Sequence, residues 1–148
     1  MKKYLVLLHL VLFTALLTTG CTNDSNDANE NGVDVDLAGL SMTIVQAEYE
    51  RILSNADDYS GKTIRVNGLF YTLDFGDPGN RVHYIIIVMG DECCQLGFEF
   101  RRDGNYKFPG DYPSQNAMIL ITGTLHKDEE IGPSYLYIAV DEFVVISE

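Results

Sequence analysis

Five segments rich in β-branched and aromatic residues follow residue 62, and turn-forming connectors separate them. Such side chains favour the half-buried surface of a β-sheet, and runs of this length are typical of strands. We therefore predict five strands, at Thr63–Tyr71, Arg81–Met89, Cys94–Phe100, Ala117–His126 and Tyr135–Ile146. Asp, Gly and Pro in the connectors between the first two strands and between the last two are typical of hairpin turns. The pattern predicts a mainly β domain.

Glycine interrupts two of these segments. Gly68 divides the first and Gly123 the fourth, and a glycine inside a strand marks a bulge or a sharp bend. Two long bent strands favour a small closed barrel, and five strands in this order predict an OB-like Greek-key barrel, with an open sandwich as the alternative. The last strand is also expected to bend, near Asp141–Glu142.

One helix is predicted ahead of the strands. Its apolar residues recur at helical spacing: Val45, Tyr49, Ile52 or Leu53, and Ala56. Thr43 is the predicted N-cap, and Gln46 three residues later would complete a capping box. An OB-like fold usually has a helix between its third and fourth strands, but residues 101–116 hold two prolines and two glycines, so we predict an ordered loop there. Its aromatic residues either line a groove or pin the loop to the barrel.

The N terminus has the layout of a secretory signal. Lys2 and Lys3 precede an apolar run, Tyr4–Leu17, which is shorter than the roughly 20 residues that a spanning helix needs. The following "LTTGC" resembles the lipobox of bacterial lipoproteins. That resemblance implies cleavage before Cys21 and a diacylglycerol thioether on it, and two or more acyl chains would hold the protein on the outer face of the cell membrane. A plain signal peptide with a chance cysteine is the alternative.

These features divide the chain into three parts. Residues 1–20 are the predicted lipoprotein signal peptide, and residues 40–148 the predicted OB-like domain. Residues 21–39, between them, are rich in Asn and Asp and nearly lack apolar side chains, so we expect the lipidated cysteine to be followed by a disordered acidic tether.

The chain is strongly acidic. It carries 22 acidic and 10 basic residues, a net charge of −12, and loss of Lys2 and Lys3 with the signal would make it two units more negative. Such a surface repels phosphate backbones, so nucleic acid is excluded as a partner. Cationic ligands, metal ions or basic patches on a protein suit it better.

Two adjacent cysteines, Cys93 and Cys94, follow Asp91 and Glu92. Consecutive Cα atoms lie about 3.8 Å apart, below the roughly 4.4–6.8 Å of an ordinary disulfide, so a bond between the two would be strained. Four interpretations stay open: a small core residue at Cys94 with Cys93 incidental, a thiolate metal site, a redox-active vicinal disulfide, and an intermolecular crosslink. Strand alternation puts Cys94 on the face of the apolar residues that follow it.

A metal site would need ligands beyond the thiolates, which favour Zn²⁺ or Cu⁺. The candidates are His83, His126, Asp91 and Glu92. No Cys-x-x-Cys or His-x-x-x-His spacing brings them together locally, so only the fold could assemble such a site.

Four stretches carry a resemblance to a known family: "CCQLGFEF", "YKFPGDYP", "ITGTL" around Gly123, and "YLYIAVDEF". Together they resemble an uncharacterised family of small Firmicutes lipoproteins with an OB-like domain, over about Tyr59–Phe143, and the most specific element is Cys-Cys-x-x-Gly-x-Glu-Phe. A looser similarity is to the extracellular domain of a permease-associated family, which implies metal handling and a membrane-transport partner. Gln95 and Leu96 replace the Ala-Asp usual in that family.

Little in the chain indicates catalysis. No serine has a nucleophile-elbow context, no glycine-rich phosphate loop is present, and Asp91 and Glu92 oppose the low pKa that a reactive thiol needs. We predict a non-enzymatic, membrane-anchored extracytoplasmic binding or accessory module for a metal ion, a small ligand or a partner protein. A thiol-redox protein acting through Cys93 and Cys94 and a structural envelope protein are the alternatives.

Overall fold

The computed structural model describes residues 32–76, 80–90 and 94–148, with Cys94 described by its backbone alone. This part of the chain is mainly β, as predicted, with two short helices and one six-stranded mixed sheet. The helices are α1 (Met42–Ser54) and α2 (Ala56–Tyr59). The strands are β1 (Val35–Asp36), β2 (Thr63–Asp74), β3 (Arg81–Met89), β4 (Cys94–Arg102), β5 (Met118–Lys127) and β6 (Leu136–Ser147).

The sheet has the strand order β1-β2-β3-β4-β6-β5, and β2 also pairs with β5. The β1–β2 and β4–β6 pairings are parallel, and the others are antiparallel. Each of the five long strands therefore has a strand on both sides. Alternate side chains of these strands form the core, which α1 covers with Val45 and Ile52. The fully buried strand residues include Ile64, Phe70, Ile85, Phe98, Phe100, Ile119, Ile121, Leu125 and Ile138.

All five predicted strands are confirmed, with small shifts at their ends. The β3 bounds agree with the prediction, whereas β2 continues to Asp74 because Leu69–Asp74 pairs with the first residues of β3. Residues 103–117 contain no helix, which confirms the predicted loop.

Gly123 lies where the pairing of β5 with β6 changes register. Thr122 pairs with Glu142, but Gly123 pairs with Val140, so Asp141 is the extra residue of a bulge and the bend predicted there is confirmed. A Cβ at Gly123 would overlap the carbonyl oxygen of Ala139. Close approach of two backbones, and not a positive φ, therefore requires glycine here.

The capping box predicted for α1 is wrong. The helix begins two residues earlier, with Ser41 as its N-cap and no capping bond from a side chain. Thr43 lies inside the helix, and the side chain of Gln46 donates to Glu50 Oε1, one turn along the exposed face. A polar residue three positions after a threonine is a frequent coincidence on a helix surface.

The apolar face of α1 is otherwise as predicted. Ile52, not Leu53, completes it, since Ile52 is fully buried and Leu53 is 36% exposed. Tyr49 packs edge-on against Phe98 at 4.9 Å and donates its hydroxyl to the carbonyl oxygen of Gly97. The helix is thus fixed to β4 by both apolar and polar contacts.

The predicted tether needs correction over residues 33–37. Strand β1 pairs with Ile64 and Arg65 of β2, and Val33 and Leu37 on either side of it are buried. Asp34 accepts a hydrogen bond from the Thr63 amide. Val33, Val35 and Leu37 alternate with acidic residues, so the acidic composition gave no sign of a strand. Pairing with β2 makes this short strand stable. No helix in the described residues is long and apolar enough to cross a membrane.

Candidate functional site

Several predicted site residues lie outside the described part of the chain: Cys21, Asp91, Glu92 and Cys93. Cys94 is the first residue of β4, and its backbone pairs with Met89. The predicted lipidation and the interpretations of the cysteine pair therefore stay predictions. Among the residues that the structure describes, no three His, Cys, Asp or Glu side chains are placed to hold a metal ion.

The two candidate histidines lie on opposite faces of the sheet. His83 faces inward, where it stacks on the buried rings of Phe70 and Phe100 at 5.8 and 6.0 Å. His126 is exposed on the outer face and stacks on Tyr137 at 5.6 Å. They therefore cannot serve as ligands of one metal ion.

The outer face carries a row of directly paired side chains that crosses five strands. Its members are Tyr71, Tyr84, Glu99, Tyr137 and His126. Four of the five are aromatic, and each of those four has a polar group on its ring. Strand alternation puts all five on the face that points away from the core. We call this set the outer row.

Glu99 is the centre of the outer row and is only 7% exposed. Arg101 Nε donates to its Oε1 and the Tyr135 hydroxyl to its Oε2, both at 2.5 Å. Arg101 also donates to Asp128 Oδ2 at 2.6 Å, and the hydroxyls of Tyr84 and Tyr135 lie 3.4 Å apart. These bonds hold the β5–β6 connector, residues 128–135, against the outer face.

The electrostatics of this network agree with its geometry. Burial alone would lower the pKa of Arg101, but hydrogen bonds to Glu99 and Asp128 raise it above its ordinary value. Burial raises the pKa of the Tyr135 phenol, and its bond to Glu99 raises it further. The guanidinium of Arg101 also lies 3.8 Å from the ring centre of Tyr137. Arg101 is therefore charged and Tyr135 protonated over the whole physiological pH range.

Sequence reasoning missed this network. Strand alternation puts Glu99 on the face opposite Phe98, but its partners were not recognised. A local signal exists, because Glu99 and Arg101 are two residues apart on one strand and must share a face. Nothing local indicates Tyr135, which is 36 residues away.

The inward-facing His83 belongs to an aromatic cluster at one end of the core. The other rings are Phe70, Phe100, Phe108, Tyr112 and Phe143. His83 Nδ1 lies 2.9 Å from Thr72 Oγ1, and Tyr112 stacks on the imidazole at 4.2 Å. Two of the loop's aromatic residues, Phe108 and Tyr112, thus pin it to the core, whereas Tyr106 is 46% exposed.

A shallow cleft of about 170 Å³ lies between the start of α1 and the sheet. Its lining is almost wholly apolar, with Asn67 as the only polar side chain: Met42, Asn67, Gly68, Leu69, Ile86, Ile87, Val88 and Met118. Ligand sites need several convergent polar groups to orient their ligand, and the outer row offers these where the cleft does not.

No protein-family model matches this chain, and no curated protein matches it either.

Proposed function

We propose that this protein is a lipid-anchored, extracytoplasmic binding module without enzymatic activity. Its anchor is Cys21 and its binding surface is the outer row, bounded on one side by the β5–β6 connector. The observation that carries the proposal is the outer row itself: aromatic rings with polar tips, paired across the sheet around one fixed carboxylate. Rings of this kind provide apolar contact and hydrogen bonding at one surface.

We also propose an OB-like barrel for the five long strands. The strands β5, β2, β3 and β4 are neighbours in that order. Numbered along the chain, this is the 4-1-2-3 order of a Greek key, and β6 lies between its two outer members. OB-folds bind extended ligands on the face of their second and third strands, between the loops before the second and after the fourth. The corresponding elements here are β3, β4 and the two hairpin connectors, and Tyr84, Glu99 and Tyr135 belong to them.

The acidic surface determines the charge of the ligand. The connector that borders the outer row also carries Glu129 and Glu130, both exposed, and the whole chain has a net charge of −12. An anionic ligand would be repelled. We therefore propose a neutral or cationic extended ligand.

Glu99 has a positioning role in the proposed binding surface. Both of its oxygens already accept hydrogen bonds, from Arg101 and Tyr135. We infer that this carboxylate positions the connector and its neighbours, because its two hydrogen bonds join it to Arg101 of β4 and to Tyr135 of the connector.

Binding is tested by NMR titration of the full chain with three probes: cellotetraose, hexalysine and hexaglutamate. We expect cellotetraose or hexalysine to shift the resonances of the outer row and hexaglutamate to leave them unchanged. Tyr84→Ala should weaken that binding about tenfold, which is about 1.4 kcal/mol. The matched control is Thr122→Ala, an outward-facing position of β5 outside the row. If no probe shifts the row, or Tyr84→Ala binds like the wild type, the proposal fails.

Anchoring is tested by replacing Cys21. Cys21→Ser removes the sulfur to which the diacylglycerol would be attached, so we expect the protein to leave the membrane fraction and lose lipid labelling. Cys94→Ser is the control, because it retains the lipidation site and should stay in the membrane. Unchanged detergent partitioning of Cys21→Ser would contradict the proposed anchor.

A further inference from the structure

The segment that follows β4 is held to the sheet mainly by its aromatic side chains. We call residues 103–112 the strap. Among the described residues, one hydrogen bond ties its backbone to a strand, from Arg102 Nη1 to the Asp111 carbonyl oxygen. Its other hydrogen bonds, such as those between Lys107 and Asp111, are internal. The strap therefore depends on ring packing for its position.

The next residues of the loop are attached differently. The Asn116 amide donates to the Phe70 carbonyl oxygen, and the Phe70 amide donates to that of Ala117. The side chain of Gln115 bonds to both backbone groups of Thr72. These hydrogen bonds attach residues 115–117 to β2. This end of the loop is therefore the fixed end from which the strap could move.

The strap packs on the imidazole ring of His83. Tyr112 stacks on its ring at 4.2 Å with the planes 23° apart, and Phe108 lies at 5.8 Å. On its other side, the imidazole contacts the core rings Phe70 and Phe100. The imidazole thus forms a layer between the strap and the core.

Two guanidinium groups already occupy the faces of the surrounding rings. Arg102 lies 3.6 Å from the ring centre of Tyr106 and 4.5 Å from that of Phe143, and Arg81 lies 5.3 Å from that of Phe108. These two guanidinium groups already make the cation–π contacts that the ring faces favour. A third cation among them would meet repulsion.

Within residues 32–76, 80–90 and 94–148, Glu99 is the one carboxylate that raises the pKa of His83. The charged and titratable groups around it are Arg81 on its own strand, Arg102 and Glu99 on β4, and Tyr112 with the neighbouring Asp111 on the strap. Arg81 is itself paired with Asp74 of β2 at 2.8 Å. Glu99 is bonded to Arg101 and Tyr135 on the outer face. Thr72 of β2, which lies within hydrogen-bond distance of the imidazole, carries no charge.

We propose that His83 is a pH-sensitive latch: the neutral imidazole holds the strap on the aromatic cluster, and protonation in acid releases it. The latch acts on the inner face of the sheet and does not depend on the outer row. Its release would uncover Phe70 and Phe100 at one end of the core.

The direction of the pH response follows from the surroundings of the imidazole. Burial lowers the pKa of His83, Arg81 and Arg102 lower it further, and Glu99 opposes them only in part. A histidine whose folded pKa lies below its unfolded value of about 6.5 stabilises the closed state fully above about pH 6.5. That stabilisation is lost as the pH falls through the folded pKa.

The test is hydrogen–deuterium exchange of the full chain from about pH 8 to about pH 4.5, corrected for intrinsic rates. We expect protection of the strap to fall at least about tenfold, with a midpoint below about pH 6.5, while β5 stays protected. An NMR titration of the His83 ring should give the same midpoint. Constant protection of the strap, or a midpoint that differs from the ring titration, would overturn the latch.

Two variants isolate His83. His83→Phe keeps an aromatic ring that cannot be protonated, so the strap should stay protected at every pH. His126→Phe changes the exposed histidine and should respond like the wild type. A His83→Phe strap that opens with the wild-type midpoint would overturn the latch. If His83→Phe does not fold, the comparison of midpoints in the wild type decides the question.

Discussion

At the scale of single residues, Gly68 and Gly123 are required because each lies very close to the backbone of a paired strand. Gly68 of β2 lies against β3, and Gly123 of β5 lies against β6. A Cβ on Gly68 would lie 2.6 Å from the Ile86 carbonyl oxygen, and one on Gly123 would overlap that of Ala139. Contacts this short involve backbone atoms, which cannot rotate away as a side chain can. Any other residue at either position would force the paired strands to move apart.

We expect Gly68→Ala and Gly123→Ala each to lower the free energy of unfolding by about 2 kcal/mol or more, because the strands must move apart. Gly132→Ala is the matched control, since a Cβ there meets nothing within 4 Å. It should change stability by less than about 0.5 kcal/mol. Urea unfolding measures all three, and equal effects would show that the close approach has no energetic consequence.

At the scale of elements, α1 is stabilised by the burial of its apolar side chains against the sheet. Its N-cap makes no side-chain bond, and its first turn carries no acidic residue to favour the helix dipole. Val45 and Ile52 are buried in the core, and Tyr49 bonds to β4. The helix therefore forms mainly because its apolar face is buried against the sheet.

Ile52 and Leu53, which are neighbours in α1, allow a direct test of whether burial stabilises the helix. Ile52→Ala should lower the free energy of unfolding by about 2–4 kcal/mol, since it leaves a cavity in the core. Leu53→Ala makes the same kind of truncation on the exposed side and should cost about 1 kcal/mol or less. Urea unfolding of both variants is the measurement. Equal losses would mean that helix propensity, and not burial, controls stability here.

At the scale of the whole molecule, acidic charge exceeds basic charge by more than two to one. Several basic side chains are already used in ion pairs, among them Arg65 with Asp36 and Arg81 with Asp74. Other acidic side chains, including Glu129 and Glu130, are exposed. The folded chain is therefore under net self-repulsion.

Salt should relieve this repulsion. Raising NaCl from about 0.1 M to about 1 M shortens the screening length from about 10 Å to about 3 Å, and we expect Tm to rise by about 2–4 °C. Exposed ion pairs are each worth only about 0–1 kcal/mol, so their screening should not cancel the gain. A variant with Glu129→Gln and Glu130→Gln should show a smaller rise. A Tm that falls with salt would show that ion pairing outweighs repulsion.

The sequence by itself predicted the mainly β class, the five long strands, the bend near Asp141–Glu142 and the apolar face of α1. These depend on local properties, namely strand propensity, alternation and the position of glycine, which can be read within a few residues. It also indicated which face of β4 is buried, because alternation leaves no other choice.

Only the tertiary structure decided the rest. Strand β1 is too short to be stable without β2, and Glu99 is fixed by Tyr135, which is 36 residues away along the chain. His83 was a candidate metal ligand in the sequence, yet the fold places Tyr112 on its ring. The strand order brings such distant side chains together, and no local pattern encodes that order, because it depends on which strands pair once the core has formed.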